Sequence, residues 1–138
     1  MGDGPVCLGP SRVTERLRIS SGSPYERSIG FSRALKVGDR VLVSGTAPVW
    51  PDGSCDPDPG AQTGRCLEII TEALAEAGGR LDDVVRIRVF ITDAGDQEAI
   101  GAALGRVFGE IRPAATMVVV AGLLDPRWKV EIEAEAQV

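Results

Sequence analysis

Glu131, Glu133 and Glu135 recur at every second residue of the segment 129–137, which puts three carboxylates on one face of a strand. A carboxylate held in a cleft with a suitably tuned pKa can orient a water molecule or transfer a proton, so Glu131 is a candidate for general acid–base work. The same alternation also describes an ordinary polar strand face, and both readings stand. Arg33 follows Phe31 at i+2 and so shares its face if the segment is extended, where it either contacts a ligand or pairs with solvent or an interface carboxylate. Arg86 and Arg88 suit pairing with the glutamates across strands or subunits better than ligand binding. The chain has no histidine, which removes Ser-His and Cys-His nucleophile pairs. Its three cysteines, Cys7, Cys55 and Cys66, show no CxxC spacing, so the usual zinc sets cannot be assembled either. They read as reduced thiols, and neither a metal nor a cofactor is expected.

The elements that must position these groups follow from periodicity. Strand-like alternation runs from about Arg27 to Lys36, with Ile29, Phe31, Arg33 and Leu35 on one face. Val37-Gly38-Asp39 then turns the chain into Val41-Leu42-Val43-Ser44-Gly45, a hairpin. A loop rich in Pro, Gly and Asp follows from Ala47 to Gly60. Cys66, Ile69, Ile70, Ala73, Leu74 and Ala77 form a helical stripe over Ala61 to Ala77, closed by Gly78-Gly79. Val85, Ile87, Val89 and Ile91 alternate within a strand over Val84 to Thr92. A second helix carries Ile100, Ala103, Leu104, Val107 and Phe108, with Asp93 or Asp96 able to cap it. Gly101 and Gly105 inside that helix cost about 0.8–1 kcal/mol each against alanine, which points to close packing or to room for a ligand. Two further strands, Ala115 to Leu123 and Lys129 to Gln137, flank a turn at Asp125-Pro126. Trp50, Arg127 and Trp128 lie in loops at strand ends, where they either rim a cleft or simply pack.

The order strand, strand, helix, strand, helix, strand, strand predicts an α+β fold, a two-layer sandwich in which a mixed sheet carries two helices on one face. The other face holds the glutamates, so it meets water or another subunit. With 138 residues the chain is expected to be one domain, 1–138, with 1–26 as a loose N-terminal arm. A net charge of −5 argues against nucleic-acid binding, and no apolar run nears the roughly 20 residues that span a bilayer. Met1 to Pro10 show no secretory pattern, which makes the cytoplasm the expected location.

Gly30-Phe31-Ser32-Arg33-Ala34, Val41-Leu42-Val43-Ser44-Gly45, Asp83-Val84-Val85, Val89-Phe90-Ile91-Thr92-Asp93, Arg112-Pro113-Ala114 and Val130-Glu131-Ile132-Glu133-Ala134 occur in an order that resembles the RidA/YjgF family of reactive-intermediate deaminases, over roughly Ser28 to Val138. The resemblance implies a homotrimer of chorismate-mutase-like fold, its sheets forming a central barrel and its small-molecule ligand lying in clefts between subunits. It maps the pocket onto Phe31, Ser44, Gly45, Thr46, Gly101, Ala115, Thr116 and Met117, with Glu131 as the catalytic carboxylate. Ala115 stands where deaminating members carry an arginine that grips the substrate carboxylate. Such a contact contributes about 1.5–3 kcal/mol, so the usual 2-imino acids would be held less firmly. Either Arg33 supplies a substitute guanidinium from another wall, or the pocket takes a less charged or larger molecule. The implied activity is hydrolysis of an imine or enamine other than the usual 2-imino acids. The alternative is a non-catalytic binding or regulatory trimer. Endoribonuclease activity, a description sometimes attached to the family, fits poorly with an acidic chain without histidine.

Overall fold

The computed structural model describes residues 15–138, and Cys7 lies outside that range. Its strands are β1 (Arg16–Ile19), β2 (Ala34–Val37), β3 (Arg40–Thr46), β4 (Val84–Ile91), β5 (Ala114–Val119) and β6 (Val130–Gln137). Its helices are α1 (Pro59–Glu76) and α2 (Gln97–Phe108). The strands make one sheet in the order β1-β2-β3-β6-β4-β5. Only β4 and β5 run parallel, and α2 supplies the crossover that a parallel pair requires. Both helices cover one face, as the alternation of buried and polar residues predicts.

Local chemistry sets the helix ends. Asp58 precedes Pro59, and its carboxylate accepts from the Ala61 amide at 2.8 Å, a cap followed by a residue whose missing N–H costs nothing there. At the other end Gly78 takes φ +83°, and the Gly79 amide donates to the Leu74 carbonyl at 2.8 Å. The apolar stripe of α1 then packs Cys66, Leu67, Ile70 and Leu74 against Val41, Val43, Ile132 and Ala134 of the central strands. Ile100 and Phe108 of α2 join the same core beside Ile87 and Val89.

Three segments differ from expectation. Residues 27–30 are not strand: the Phe31 amide donates to the Glu26 carbonyl at 2.9 Å, closing a wide turn in which Gly30 has φ +95°. Ile29 therefore does not belong to a buried face and is 71% exposed. Conversely, residues 16–19 of the expected loose arm form β1, pairing with β2 from Arg16 opposite Val37 to Ile19 opposite Ala34. Its alternation is short and charged, yet it seals Ile19 into the core. β5 also stops at Val119, earlier than the apolar run suggests.

Candidate functional site

The site grows from an irregularity in β3. Val43 pairs with Ala134 and Thr46 with Ile132, so three steps along β3 face two steps along β6. The extra residue is a bulge, which lets Val43 and Thr46 both point into the core while Ser44 and Gly45 lie between them toward the open face. Glu131, next to Ile132 on β6, reaches into the space this creates. A β-carbon placed on Gly45 would lie 3.1 Å from Glu131 Oε2, so the absent side chain at 45 is what lets the carboxylate settle there. Burial pushes the Glu131 carboxyl above the ordinary carboxylate range; the nearby Arg33 charge pulls it down, and Glu133 adds to the rise.

Arg33 lies on the approach to β2, where its amide donates to the Ile19 carbonyl and its own carbonyl accepts from the Ser44 amide. Its Nη2 donates to the carbonyls of Ser44 and Gly45 at 2.7 and 2.6 Å and contacts Thr46 Oγ1 at 3.1 Å. One guanidinium nitrogen thus ties together the bulge that carries Gly45. Arg33 Nε is buried without a partner among the described residues. Burial lowers the Arg33 pKa, against the pull of Glu26 and Glu131. The substitute-anchor reading places this side chain free in the cleft, whereas Nη2 is occupied by the scaffold.

The remaining pocket residues lie elsewhere. Phe31, 38% exposed, and Ser32 edge the open face, and Ser44 Oγ donates to the Ser32 carbonyl at 2.6 Å. Thr46 is buried behind the bulge. Ala115 pairs with Ile87 and Met117 with Val89, which sets both on the helix-covered side of the edge strand β5. Thr116 pairs with Arg88 on the open side. Because Glu131 pairs with Phe90 and Phe90 with Val118, strand spacing puts Glu131 about 14 Å from Ala115 and on the opposite face. Gly101 is exposed on α2, and a β-carbon there or at Gly105 would meet nothing within 4 Å, so packing within the chain requires neither glycine. One chain therefore holds two groups of expected pocket residues, one at the β3 bulge and one on the β5–α2 side, and does not bring them together.

Gln62 carries no sequence signal beyond a polar residue on the buried side of α1. It is fully buried, its amide donates to the carbonyls of Asp56 and Arg127 at 2.8 and 2.9 Å, and its oxygen accepts from the Lys129 amide at 2.7 Å. It thereby anchors the loop that leads into Glu131. Arg127 is held by Asp125 at 2.8 Å and by the Gly53 carbonyl at 3.2 Å. Of the expected glutamate pairs, Arg88 holds Glu133 at 2.8 Å, while Glu135 is taken by Arg40 at 2.8 Å. Burial raises the pKa of the Cys66 thiol, an inert core group. No cluster of three or more metal-ligating side chains occurs among the described residues.

Comparison with known proteins adds an independent line. A family profile described as Endoribonuclease L-PSP matches residues 24–138. An uncharacterized protein of Streptomyces coelicolor is 41% identical over 120 residues, 86% of this chain and 90% of that one. The 3-aminoacrylate deaminase RutC of Acinetobacter baylyi is 38% identical over 107 residues, 76% of this chain and 84% of its own. Among solved structures, a Mycobacterium tuberculosis member of the YjgF/YER057c/UK114 family superposes with a TM-score of 0.83 at 41% identity, covering 90% of this chain and all of the other. The RidA of an Antarctic Psychrobacter gives 0.75 at 29% identity, over 88% and 94% of the two chains.

Proposed function

The chain belongs to the endoribonuclease L-PSP family, which is the RidA/YjgF family, and from that membership we propose that it is a small-molecule hydrolase acting on an imine or enamine. The observation that carries this reading is the Glu131 carboxylate, half-buried against Gly45 and held above its ordinary pKa. A carboxyl whose pKa is moved toward neutrality can take a proton from water as it attacks C=N and return one to the departing nitrogen. Ammonia and a carbonyl compound are the products. The name of the RutC relative, a 3-aminoacrylate deaminase, supports the same class of bond.

The working unit in this reading is a homotrimer in which the β3 bulge of one copy meets the β5–α2 side of the next. The 14 Å and opposite-face separation of the two groups supports it, since a second copy can close a cleft that a single chain leaves divided. No helix among the described residues is long and apolar enough to cross a membrane, and the cytoplasm is the proposed location.

Ammonia release from 2-iminopropanoate, generated in place by an amino-acid oxidase, tests the proposal in the wild type, Glu131→Gln and Ala115→Arg. The expected result is weak acceleration by the wild type, stronger acceleration by Ala115→Arg, and release at least about a hundredfold slower than wild type in Glu131→Gln. Activity confined to Ala115→Arg would mark an intact scaffold whose own substrate lacks that carboxylate. Inactivity of all three would remove the hydrolase reading and leave the binding trimer.

A further inference from the structure

Gly45 touches two opposite charges. Its carbonyl accepts from Arg33 Nη2 at 2.6 Å, and a β-carbon at this position would lie 3.1 Å from Glu131 Oε2. Carried across the backbone of one residue, these contacts bound the separation of the guanidinium nitrogen and the carboxylate oxygen at about 9 Å. Both groups are partly withdrawn from water, so at that distance salt screens their attraction only in part. The three glutamates of β6 are treated differently. Glu133 and Glu135 are held directly by Arg88 and Arg40, whereas Glu131 is in no ion pair or side-chain hydrogen bond among the described residues. A direct pair would occupy the carboxylate oxygens. The bulge prevents one by taking the Arg33 Nη2 protons for the Ser44 and Gly45 carbonyls. Nor does the bulge depend on this side chain alone: the Ser44 amide donates to the Arg33 carbonyl, Ser44 Oγ to the Ser32 carbonyl and Thr46 Oγ1 to the Ser44 carbonyl. Arg33 Nε meanwhile stays buried without a partner among the described residues, which is unfavourable for stability.

We propose that Arg33 is a positioning residue for Glu131: pinned to the bulge carbonyls, its cation holds the ionised carboxylate in the gap left by Gly45 while leaving both carboxylate oxygens open to water. This deepens the proposed function, resting on the reading that Glu131 takes a proton from the attacking water. Arg33 touches no reacting atom and acts through Glu131. The other titratable groups around the pair are Glu26 on the turn, Glu133 on β6 and Cys66 on α1. Glu26 is tied to the amide and hydroxyl of Ser21 at 2.9 and 2.6 Å, and it shares the field of Arg33. Glu133 is neutralised by Arg88 at 2.8 Å, and burial keeps the Cys66 thiol protonated at neutral pH. Arg33 is left as the charge that opposes the cost of burying Glu131. Every member of this arrangement belongs to one chain. A neighbouring copy that closes the cleft excludes water and strengthens the interaction without creating it.

The test follows the Glu131 carboxyl resonance against pH by NMR in the full chain carrying isotope-labelled glutamate, assigned by its loss in Glu131→Gln. Wild type, Arg33→Lys and two neutral variants, Arg33→Gln and Arg33→Met, are compared, so that one neutral variant suffices if the other does not fold. The expected result is a titration midpoint at least about half a pH unit higher in the neutral variants, and within about half a unit of wild type in Arg33→Lys, which keeps the cation. Sign separates charge from mere structure, because a bulge that came apart and bared Glu131 to water would lower the midpoint instead. A midpoint that falls or stays within about half a unit of wild type in the neutral variants would overturn the proposal, as would an equal rise in Arg33→Lys. Turnover plays no part in this readout. Ammonia release from 2-iminopropanoate, followed against pH in the same proteins, should lose its acid limb at the shifted midpoint. A raised midpoint with no release by any of them would keep the charge coupling and remove the hydrolase; release with an unmoved midpoint would do the reverse.

Discussion

Gly45→Ala adds one methyl group to the surface on which the Glu131 carboxylate rests. The new carbon would stand 3.1 Å from Oε2 and 3.3 Å from Cδ of Glu131, too close by a few tenths of an ångström. Overpacking costs about 1–3 kcal/mol, and because the obstructing group is the end of a flexible side chain, about 1 kcal/mol is the appropriate figure here. Gly45 does not adopt a positive φ, so alanine is otherwise the better strand residue by about 0.5–1 kcal/mol. The two effects nearly cancel in the wild type. In a Glu131→Ala background only the second survives, and Gly45→Ala becomes stabilising. The quantity to measure is thus the coupling in a double-mutant cycle, about 1 kcal/mol, or about 4 °C in Tm for a domain of this size. Urea denaturation of the four proteins at one concentration reads it directly. Additivity within about 0.3 kcal/mol would refute the contact between Glu131 and the β3 bulge, and with it the account of how the carboxylate is positioned.

Because burial raises the Glu131 pKa, the folded state holds that proton more tightly than the unfolded chain, and stability from this group is complete below the unfolded value of 4.5 and lost as pH rises through the folded one. The Tm of Glu131→Gln relative to the wild type should accordingly climb as pH is raised from 4.5 toward neutrality; a constant difference contradicts the shift. Gln62→Ala strands the Lys129 amide and the Arg127 carbonyl, costing about 2–4 kcal/mol, and hydrogen exchange at Lys129 should accelerate with it. Cys66, buried with its thiol pKa raised, should escape iodoacetamide at mildly alkaline pH until denaturant is added, as peptide mass analysis would show.

The helices and the inner strands were legible because each has one dry face: the stripe from Cys66 to Leu74 and the alternation from Ile87 to Ile91 record burial directly in residue type, whereas Val85, expected on that dry face, is 49% exposed because a register shift between Val84 and Arg86 turns Val84 inward instead. β1 escaped that logic. Arg16 and Arg18 occupy alternate positions of an edge strand whose open face is polar, so only Leu17 and Ile19 hint at it. The opposite error at Ile29 arose because apolar alternation continued through Gly30, where a positive φ turns the chain instead of extending it. At the site, Glu131 was visible as one of three periodic carboxylates. What singles it out from Glu133 and Glu135 was not, because its partner Gly45 is supplied by another strand and a bulge. Arg33 likewise drew notice as a free cation near Phe31, whereas the fold engages its Nη2 with the carbonyls of Ser44 and Gly45. Gln62 joins three chain segments that are local only in the folded state.

The central claim is that the cleft exists only between copies, since Glu131 and Ala115 lie on opposite faces of one sheet. Its most direct test is the mass of the wild-type protein in solution by light scattering at micromolar concentration. The account predicts three times the 14.5 kDa of the single chain, and a monomer mass would contradict it.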